Sequence, residues 1–443
     1  MVFGRTKSVC PVCLRVIDAE KTTGADGNIY MEKTCPGHGH FSALIWEGDL
    51  RSYLRWGTVS STVEPPVDAK APGEGCPYDC GLCTEHLRKG CCMLLELTNR
   101  CNLRCPVCFA AAGEKEPYDL PLDEIERQYD FLMAHGGPFN IQLSGGEPTV
   151  RDDLPEIIRL GREKGFTFFQ LNTNGLRLAR EADYAAVLKA AGLNTVFLQF
   201  DGMTDEVYIT LRGRALLKEK LAAVDNCERA GLGIVLVPVV APGVNDMQVG
   251  DILRFALSRM PAVRGVHFQP VSYFGRCGLE RPGRPITIPR MLRLIGEQTG
   301  GQMKYEDFGG GGAENPYCSF HASYMRRPDG SLKPLARKAG SSCCCCTGSD
   351  DSREFVANQW SGEDSREYAP DGDMTQTSAL DEFLAQARLN TFSLSGMLFQ
   401  DAMNLDLDRL KRCYICELDS ERGMVPFCAY NLTDTDGKAL YRK

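Results

Sequence analysis

The segment Cys101-Asn102-Leu103-Arg104-Cys105-Pro106-Val107-Cys108 carries three cysteines with the spacing C-x3-C-x2-C. A short loop with these gaps can wrap around one iron–sulfur cube and supply a thiolate to three of its irons. The fourth iron is then left without a protein ligand and is open to a small molecule. The alternatives are a zinc site that lacks a nearby partner, or buried structural cysteines. The spacing favours the cluster with an open iron.

A second motif, Ser144-Gly145-Gly146-Glu147-Pro148, follows further along the chain. Glycines, which have no β-carbon, let backbone groups approach a ligand closely. Glu147, or the backbone carbonyls beside it, is suited to accept hydrogen bonds from a cationic amine. Taken alone, a Gly-Gly pair is also common in simple turns. Its place after the cysteine motif favours a ligand-binding loop.

Apolar runs and segments of helical periodicity alternate from the cysteine motif to residue 269. Each pair of a strand and a helix takes roughly 25–35 residues, which is the period of βαβ folds with parallel strands. Repetition of this unit predicts a partial (β/α)6 barrel, open on one side, with active loops at the C-terminal ends of its strands. The predicted strands span 93–97, 139–143, 167–171, 195–200, 234–240 and 265–269, and the predicted helices span 122–134, 154–164, 181–191, 215–230 and 247–258.

The two motifs together resemble the signature of the radical S-adenosylmethionine (radical SAM) enzymes. The resemblance implies that the open iron chelates the amino and carboxylate groups of SAM, and that an electron then cleaves SAM to methionine and a 5′-deoxyadenosyl radical. That radical abstracts hydrogen from an unactivated carbon. Val107 stands where the family often has an aromatic residue beside the adenine, so we expect Phe109 to serve instead.

Further SAM contacts are implied at the ends of the third and fourth strands. Asn172 and Asn174 follow the third strand, and Gln199 and Asp201 end the fourth, where the family contacts the ribose and the carboxylate. Arg212 is a candidate partner for the SAM carboxylate. Each of these residues could equally be a turn or cap residue. The expected site comprises Cys101, Cys105 and Cys108 as catalytic cluster ligands, and Phe109, Gly145, Gly146, Glu147, Pro148, Asn172, Asn174, Gln199, Asp201 and Arg212 around SAM.

Two further cysteine groups precede the cysteine motif. Cys10, Cys13, Cys35 and His38 form a C-x2-C…C-x2-H pattern, which suits one tetrahedral zinc or rubredoxin-like iron, although another cysteine could replace His38. Cys76, Cys80 and Cys83 repeat the C-x3-C-x2-C spacing without a glycine loop of their own. They predict an auxiliary [4Fe–4S] cluster or, alternatively, a zinc knuckle. Candidates for a fourth ligand are Cys91, Cys92 and His86.

Two cysteine groups follow the predicted barrel. Cys318, Cys413, Cys416 and Cys428 are far apart in sequence but can converge, and they predict a second auxiliary cluster. The alternatives are a zinc site or scattered buried thiols. Cys343 to Cys346 are four adjacent thiols, which cannot easily surround one tetrahedral ion. Vicinal disulfide or persulfide chemistry, substrate capture, a native selenocysteine, and a flexible loop with a single cluster ligand all fit this run.

The composition limits the class of protein. The net charge is −8, with acidic and basic residues interspersed, which argues against a broad nucleic-acid footprint. No run of about 18 apolar residues occurs, so we expect no membrane span, although peripheral contact with a membrane remains open. The 21 cysteines without an apolar signal segment point to the cytoplasm, where clustered thiols usually bind metal.

The order of motifs along the chain defines four expected units. These are a mononuclear metal domain over 1–65, an auxiliary-cluster segment over 66–92, the barrel over 93–275, and a C-terminal auxiliary-cluster domain over 276–443 with a flexible loop near 340–380. Apart from that loop, this order resembles the radical SAM proteins related to archaeal tetraether lipid synthase. The resemblance implies a mononuclear metal, a SAM cluster, auxiliary clusters, and a reductant such as flavodoxin or ferredoxin.

Three functional hypotheses follow. The first is hydrogen abstraction from an unactivated carbon, either for carbon–carbon bond formation on a lipid-like substrate or for methylation, since other relatives in this group are assigned to methyl transfer onto a pterin. The second is a radical SAM peptide maturase. The third is a non-enzymatic iron–sulfur electron carrier. A long apolar tunnel would favour an alkyl chain, whereas a polar groove or an exposed strand edge would favour a peptide.

Overall fold

The structure is a computed structural model of the 443-residue chain. It describes residues 1–57, 63–81, 83–114, 116–311, 314–335, 353, 356–357, 359–362 and 389–442. The four-cysteine run Cys343 to Cys346 and most of the loop predicted near 340–380 lie outside the described residues.

The N-terminal region forms a small antiparallel sheet whose strands pair in sequence order. The turn between its first two strands carries the first cysteine pair, and the turn between its last two strands follows Cys35. Both metal-binding segments of the sequence therefore lie at one end of the sheet. The elements are β1 (Val2–Val9), β2 (Val16–Thr23), β3 (Ile29–Cys35), β4 (Gly39–Trp46) and helix α1 (Leu50–Trp56).

The central region alternates strands and helices, as its sequence period predicts. Its strands are β5 (Cys92–Thr98), β6 (Val107–Cys108), β7 (Asn140–Gly145), β8 (Phe169–Thr173), β9 (Thr195–Gln199), β10 (Gly233–Val237), β11 (Val239–Val240) and β12 (Val263–Pro270). Its helices are α2 (Leu122–Ala134), α3 (Leu154–Glu163), α4 (Leu176–Arg180), α5 (Tyr184–Ala190), α6 (Asp205–Arg212), α7 (Leu217–Arg229) and α8 (Val249–Ser258). None of the described helices is long and apolar enough to cross a membrane.

The six predicted strands are β5, β7, β8, β9, β10 and β12, which are neighbours in that order and pair in parallel. The predicted helix ends are also confirmed. Gly165, Gly192 and Gly231 follow α3, α5 and α7 with positive φ angles of 97°, 108° and 67°, a backbone conformation that glycine adopts without steric cost. The central region is thus an α/β fold with parallel strands and helical crossovers.

The two faces of this sheet carry different residues. Ile141, Leu143, Phe169, Leu171 and Leu198 point to one face, where they pack into the main hydrophobic core together with buried residues of the helices. Successive side chains in a strand point to opposite faces, so the residues between them lie on the other face. That second face lines a cavity.

The C-terminal region contributes strands to both edges of the same sheet. Its elements are β13 (Arg276–Cys277), α9 (Ile288–Gln298), β14 (Gly309–Gly310), β15 (Ser319–Arg326), β16 (Leu332–Pro334), β17 (Thr391–Met397), α10 (Leu407–Leu410), β18 (Ile415–Asp419), β19 (Gly423–Pro426) and α11 (Phe427–Tyr430). Strand β17 pairs in parallel with β12, and β18 pairs in parallel with β5. The C-terminal region, for which the sequence period predicts no strands, therefore extends the sheet.

The N-terminal sheet is attached to the C-terminal region by buried polar contacts. Asp406, which precedes α10, accepts a hydrogen bond from the Thr6 hydroxyl at 2.7 Å and pairs with the Lys21 ammonium at 2.7 Å. The buried Lys33 ammonium donates to the carbonyls of Val9 and Ala402 at 2.8 and 2.7 Å. Because these groups are shielded from water, each would be costly to leave unpaired.

We therefore expect Asp406→Ala to destabilise the protein by about 3–5 kcal/mol, because it leaves the Lys21 charge without its buried partner. Asp436→Ala, which changes an exposed side chain in a turn, is the matched control and should cost about 0.5 kcal/mol or less. Urea unfolding followed by circular dichroism measures both. Equal stabilities of the two variants would contradict this account of the attachment.

Candidate functional site

The three cysteines of the opening motif lie on the loop that leaves the C-terminal end of β5, and all three line one cavity. Burial raises the pKa of Cys101 to about 12 and also raises that of Cys105. Pairing of β6 with β13 holds the end of this loop, and the Arg276 guanidinium donates to the Cys105 carbonyl at 2.7 Å. A metal would stabilise these thiolates, whose charge the dry environment otherwise disfavours.

The glycine loop at the end of β7 packs directly against the cysteine loop. The Gly146 amide donates to the Thr98 carbonyl at 2.7 Å, and the Glu147 amide donates to the Arg100 carbonyl at 2.8 Å. A β-carbon on Gly145 would overlap the Thr98 carbonyl oxygen, and one on Gly146 would overlap the Arg100 carbonyl oxygen. Only glycine permits this close approach of the two loops.

The Glu147 carboxylate is buried and accepts hydrogen bonds from protein groups at both oxygens. Its Oε1 accepts from the Thr149 and Thr173 hydroxyls, each at 2.6 Å, and its Oε2 accepts from the Asn174 amide at 2.7 Å. Glu147 is also the residue before the 3-10 turn Pro148–Val150 and caps it. The geometry thus favours a positioning role for Glu147, because its lone pairs are used to join β7 to β8.

Arg212 is held in a buried ion pair. Its guanidinium binds both carboxylate oxygens of Asp201 at 2.7 Å and donates to the Val107 carbonyl at 2.9 Å. Burial opposes the charge of Arg212, but the Asp201 carboxylate raises the pKa of Arg212. The pair fixes the cysteine loop between Cys105 and Cys108 to the end of β9.

Asn174 and Lys220 tie the end of β8 to its neighbours. The Asn174 side chain donates to Asn102 of the cysteine loop at 2.7 Å. The buried Lys220 ammonium donates to the Asn174 carbonyl at 2.6 Å and to Gln199 Oε1 at 3.2 Å. Desolvation lowers the pKa of Lys220 to about 8. Lys220 belongs to this network but carries no motif that would identify it in the sequence.

Most of the predicted SAM-binding residues meet in the cavity. Its walls include Phe109, Gly145, Gly146, Glu147, Asn172, Asn174, Gln199 and Arg212, as well as the three cysteines. Pro148 and Asp201 are not among its lining residues. Pro148 is buried at the start of its 3-10 turn, and Asp201 is buried beneath Arg212. Phe109 is 36% exposed and packs against Phe427 with ring centroids 5.5 Å apart.

The inner walls of the cavity carry polar residues that the motif analysis missed. Gln142, Gln170, His267 and Gln269 lie on the central strands and line the cavity together with Asn172. Their signal in the sequence is the alternation of polar and apolar residues within strands that are expected to be apolar on both faces. The cavity therefore carries polar side chains beyond the cysteine loop, within walls that are otherwise largely apolar.

The N-terminal motif forms a compact metal-binding geometry. The ligand atoms of Cys10, Cys13, Cys35 and His38 all lie within 4.8 Å of one another, and His38 Nδ1 is 3.4 Å from the Cys35 sulfur. Hydrogen bonds to its sulfur lower the pKa of Cys35 to about 6, and the one from the Gly37 backbone has the largest effect. Among the described residues, this set alone has three or more ligand atoms so close together, as one ion requires.

The remaining cysteines form two looser groups. Hydrogen bonding between Cys76 and Cys80 lowers the pKa of Cys76 and raises that of Cys80. Burial raises the pKa of Cys413 to about 12 and also raises those of Cys318 and Cys428, whereas Cys416 lies on β18 next to Ile415, which pairs with Cys92. The candidate ligand His86 is buried, and its Nε2 lies 2.6 Å from the Cys413 carbonyl oxygen. Cys91 and Cys92 line the main cavity.

Comparison with known proteins identifies the class of this chain. Residues 95–256 match the family model of the radical SAM superfamily, and residues 2–47 match that of the HMPTM N-terminal zinc ribbon domain. The chain is thus a radical SAM enzyme with an N-terminal zinc ribbon, which excludes the hypothesis of a non-enzymatic electron carrier. It is 35% identical to the 7,8-dihydro-6-hydroxymethylpterin dimethyltransferase of Methanocaldococcus jannaschii, over 96% of this chain and 93% of that protein. The chain belongs to the family of that dimethyltransferase.

Two further similarities cover only parts of the chain. The GTP 3′,8-cyclase of Paenarthrobacter nicotinovorans is 35% identical over 43% of this chain and 54% of its own length. The crystal structure of Streptococcus suis SuiB bound to S-adenosylmethionine aligns with 15% identity and a TM-score of 0.41, over 48% of each chain. The part of this chain that aligns thus covers about half the length of each of these two proteins.

The family implies a [4Fe–4S] cluster and SAM, and the residues of the cavity fit both groups. Three thiols without disulfide partners face the cavity, and the glycine loop leaves no β-carbons beside them. The zinc ribbon geometry fits an additional metal. This family also needs an electron donor and a substrate.

Gly146→Ala should weaken SAM binding by about tenfold or more, equivalent to about 1.4 kcal/mol, because the new methyl group forces the glycine loop away from Arg100. Gly283→Ala is the control, since a β-carbon there meets no atom within 4 Å. Equilibrium dialysis with radiolabelled SAM on the iron-loaded protein measures both affinities. Equal affinities would show that the close approach of the loops is unnecessary.

Cys10→Ser should remove about one equivalent of metal, because a structural zinc site needs its four ligands. Cys227→Ala, which changes a buried cysteine in the last turn of α7, should leave the metal content at the wild-type value. Inductively coupled plasma mass spectrometry of the purified variants gives the zinc and iron contents. Unchanged zinc and iron in Cys10→Ser would contradict the N-terminal assignment.

Proposed function

We propose that this chain is a radical SAM methyltransferase that acts on a reduced pterin. The observation that carries the proposal is the relative named above, whose similarity extends over 96% of the chain and so includes the ribbon, the sheet and the C-terminal region. The side-chain amides within the cavity walls support the same conclusion, because they offer hydrogen-bond partners to a polar ring that an alkyl chain would leave unused. This relative gives no support to carbon–carbon bond formation on a lipid, the type of reaction that the resemblance to tetraether lipid synthase suggests.

In this proposal, Cys101, Cys105 and Cys108 hold the cluster, and the loop of Gly145 and Gly146 binds the methionine part of SAM. When bound, the cluster and one SAM would supply a 5′-deoxyadenosyl radical that removes a hydrogen atom from a C–H bond of the pterin. A second SAM would supply the methyl group to that carbon and leave as S-adenosylhomocysteine, with the two electrons of the overall reaction coming from a flavodoxin- or ferredoxin-type reductant. Glu147 and Asp201 act as positioning residues, the first by fixing the glycine loop and the second by fixing Arg212. Phe109, Asn174, Gln199 and Arg212 complete the SAM site, whereas Pro148 starts the turn behind the glycine loop and Asn172 faces the part of the cavity left for the substrate.

The finer architecture is part of the proposal. We assign a mononuclear metal domain to 1–65, an auxiliary segment to 66–92, a partial (β/α)6 barrel to 93–275 and an auxiliary-cluster region to 276–443. Cys10, Cys13, Cys35 and His38 bind the mononuclear metal, since their ligand atoms are the close set. Cys76, Cys80 and Cys83 hold one auxiliary cluster and Cys318, Cys413, Cys416 and Cys428 hold another. Ligands of a multi-iron cluster lie further apart than those of a single ion, which suits these looser groups.

The test combines reduced, iron-loaded protein with SAM and 7,8-dihydro-6-hydroxymethylpterin under anaerobic conditions. We expect 5′-deoxyadenosine, S-adenosylhomocysteine and a methylated pterin, all detected by liquid chromatography with mass spectrometry. Cys105→Ala should reduce these products to background because the cluster loses a ligand. Cys227→Ala is the matched control and should retain them. Formation of 5′-deoxyadenosine with an unmodified pterin would overturn the pterin substrate, but not the radical SAM class.

A further inference from the structure

The inner face of the parallel sheet carries side-chain amides where a buried parallel sheet normally carries aliphatic residues. Gln142 on β7, Gln170 and Asn172 on β8, Gln199 on β9 and Gln269 on β12 all line the cavity. Parallel strands that are covered on both faces are usually apolar on both. Burying this many amides costs free energy unless they are hydrogen-bonded, so the amides on this face need hydrogen-bond partners.

Three of these amides form a hydrogen-bonded row that we call the amide ladder, Gln142–Asn172–Gln170. The Asn172 amide donates to Gln142 Oε1 at 3.3 Å, and the Gln170 amide donates to Asn172 Oδ1 at 3.0 Å. Each side-chain carbonyl along the ladder thus accepts a hydrogen bond except the last one.

The end of the ladder is an unpaired acceptor. Gln170 is 0% exposed, and its Oε1 has no hydrogen-bond partner in the described part of the chain. A buried carbonyl without a donor costs free energy, so native proteins rarely retain one that nothing satisfies. Because Gln170 lines the cavity, a ligand N–H placed there would satisfy this oxygen.

Aromatic rings line another part of the same cavity. The Phe197 and Trp360 rings are 5.0 Å apart between centroids, and Phe168 also lines the cavity. His267 lies next to Phe197, with ring centroids 5.6 Å apart, and its Nδ1 is 2.9 Å from the Ser395 hydroxyl. Flat apolar faces beside a row of amides suit a flat ring with a polar edge.

We propose that the amide ladder is the substrate-binding site and that it recognises a flat nitrogen heterocycle with an amide-like N–H edge, which donates to Gln170 Oε1. The identification of this ring as a reduced pterin rests on the proposed function. The ladder lies on the strands whose C-terminal ends carry the glycine loop and Asn174, so a ring bound to it lies on the same cavity wall as the proposed SAM site.

The test measures binding of 7,8-dihydro-6-hydroxymethylpterin to iron-loaded, SAM-bound protein by isothermal titration calorimetry. Gln170→Met keeps the side-chain length and removes the acceptor, and we expect its affinity to fall about tenfold or more. Asn172→Leu interrupts the ladder and serves as a second variant. Gln302→Met changes an exposed amide outside the cavity and should bind as tightly as the wild type. Iron content and thermal unfolding show whether each variant is folded.

The outcomes separate this inference from the proposed function. Loss of affinity in folded Gln170→Met or Asn172→Leu, but not in Gln302→Met, supports the ladder. Equal pterin affinity of all these proteins overturns it, even if the pterin is methylated. If the wild type does not bind the pterin, the proposed substrate fails, and guanosine, which has the same aminopyrimidinone edge, becomes the probe. Tight binding of palmitate with no binding of either heterocycle would overturn the ladder as well.

Discussion

The buried carboxylate of Glu147 is the interaction on which the site depends. It accepts hydrogen bonds from Thr149, Thr173 and Asn174, and Asn174 binds Asn102 in the cysteine loop. The C-terminal ends of β5, β7 and β8 are therefore linked through one acidic side chain. A carboxylate away from water is stable only when such donors replace its solvation. In return, the glycine loop is held in a fixed position, so that it and the three thiols face one cavity.

The parallel sheet has different roles on its two faces. The outer face packs aliphatic and aromatic residues against the helices and supplies the hydrophobic driving force for folding. The inner face holds the amides, the ends of the strands carry the cysteine and glycine loops, and all of them line one cavity. Because side chains alternate along each strand, one face of the sheet stabilises the fold and the other lines the cavity. C-terminal strands on both edges extend this sheet, while the zinc ribbon is attached through Asp406 and Lys33.

Local sequence signals predict the strands and helices of the central region, because their periodicity and terminal glycines act within a few residues. The cysteine and glycine motifs likewise identify the class. The C-terminal strands are not predictable in this way, because the pairing of Ile415 with Cys92 joins distant parts of the chain. The positioning role of Glu147 depends on donors from β8, which no local pattern indicates. The amide ladder, by contrast, is visible as polar residues that alternate within buried strands, once the strands are known to be parallel.

The central claim is that SAM and a flat heterocycle share one cavity between the cysteine loop and the amide ladder. An anaerobic crystal structure of the iron-loaded protein with SAM and 7,8-dihydro-6-hydroxymethylpterin tests it most directly. The account predicts SAM beside Gly145 and Gly146, and the ring within hydrogen-bonding distance of Gln170 Oε1. A ring bound outside this cavity, or a SAM molecule away from the cysteine loop, would contradict it.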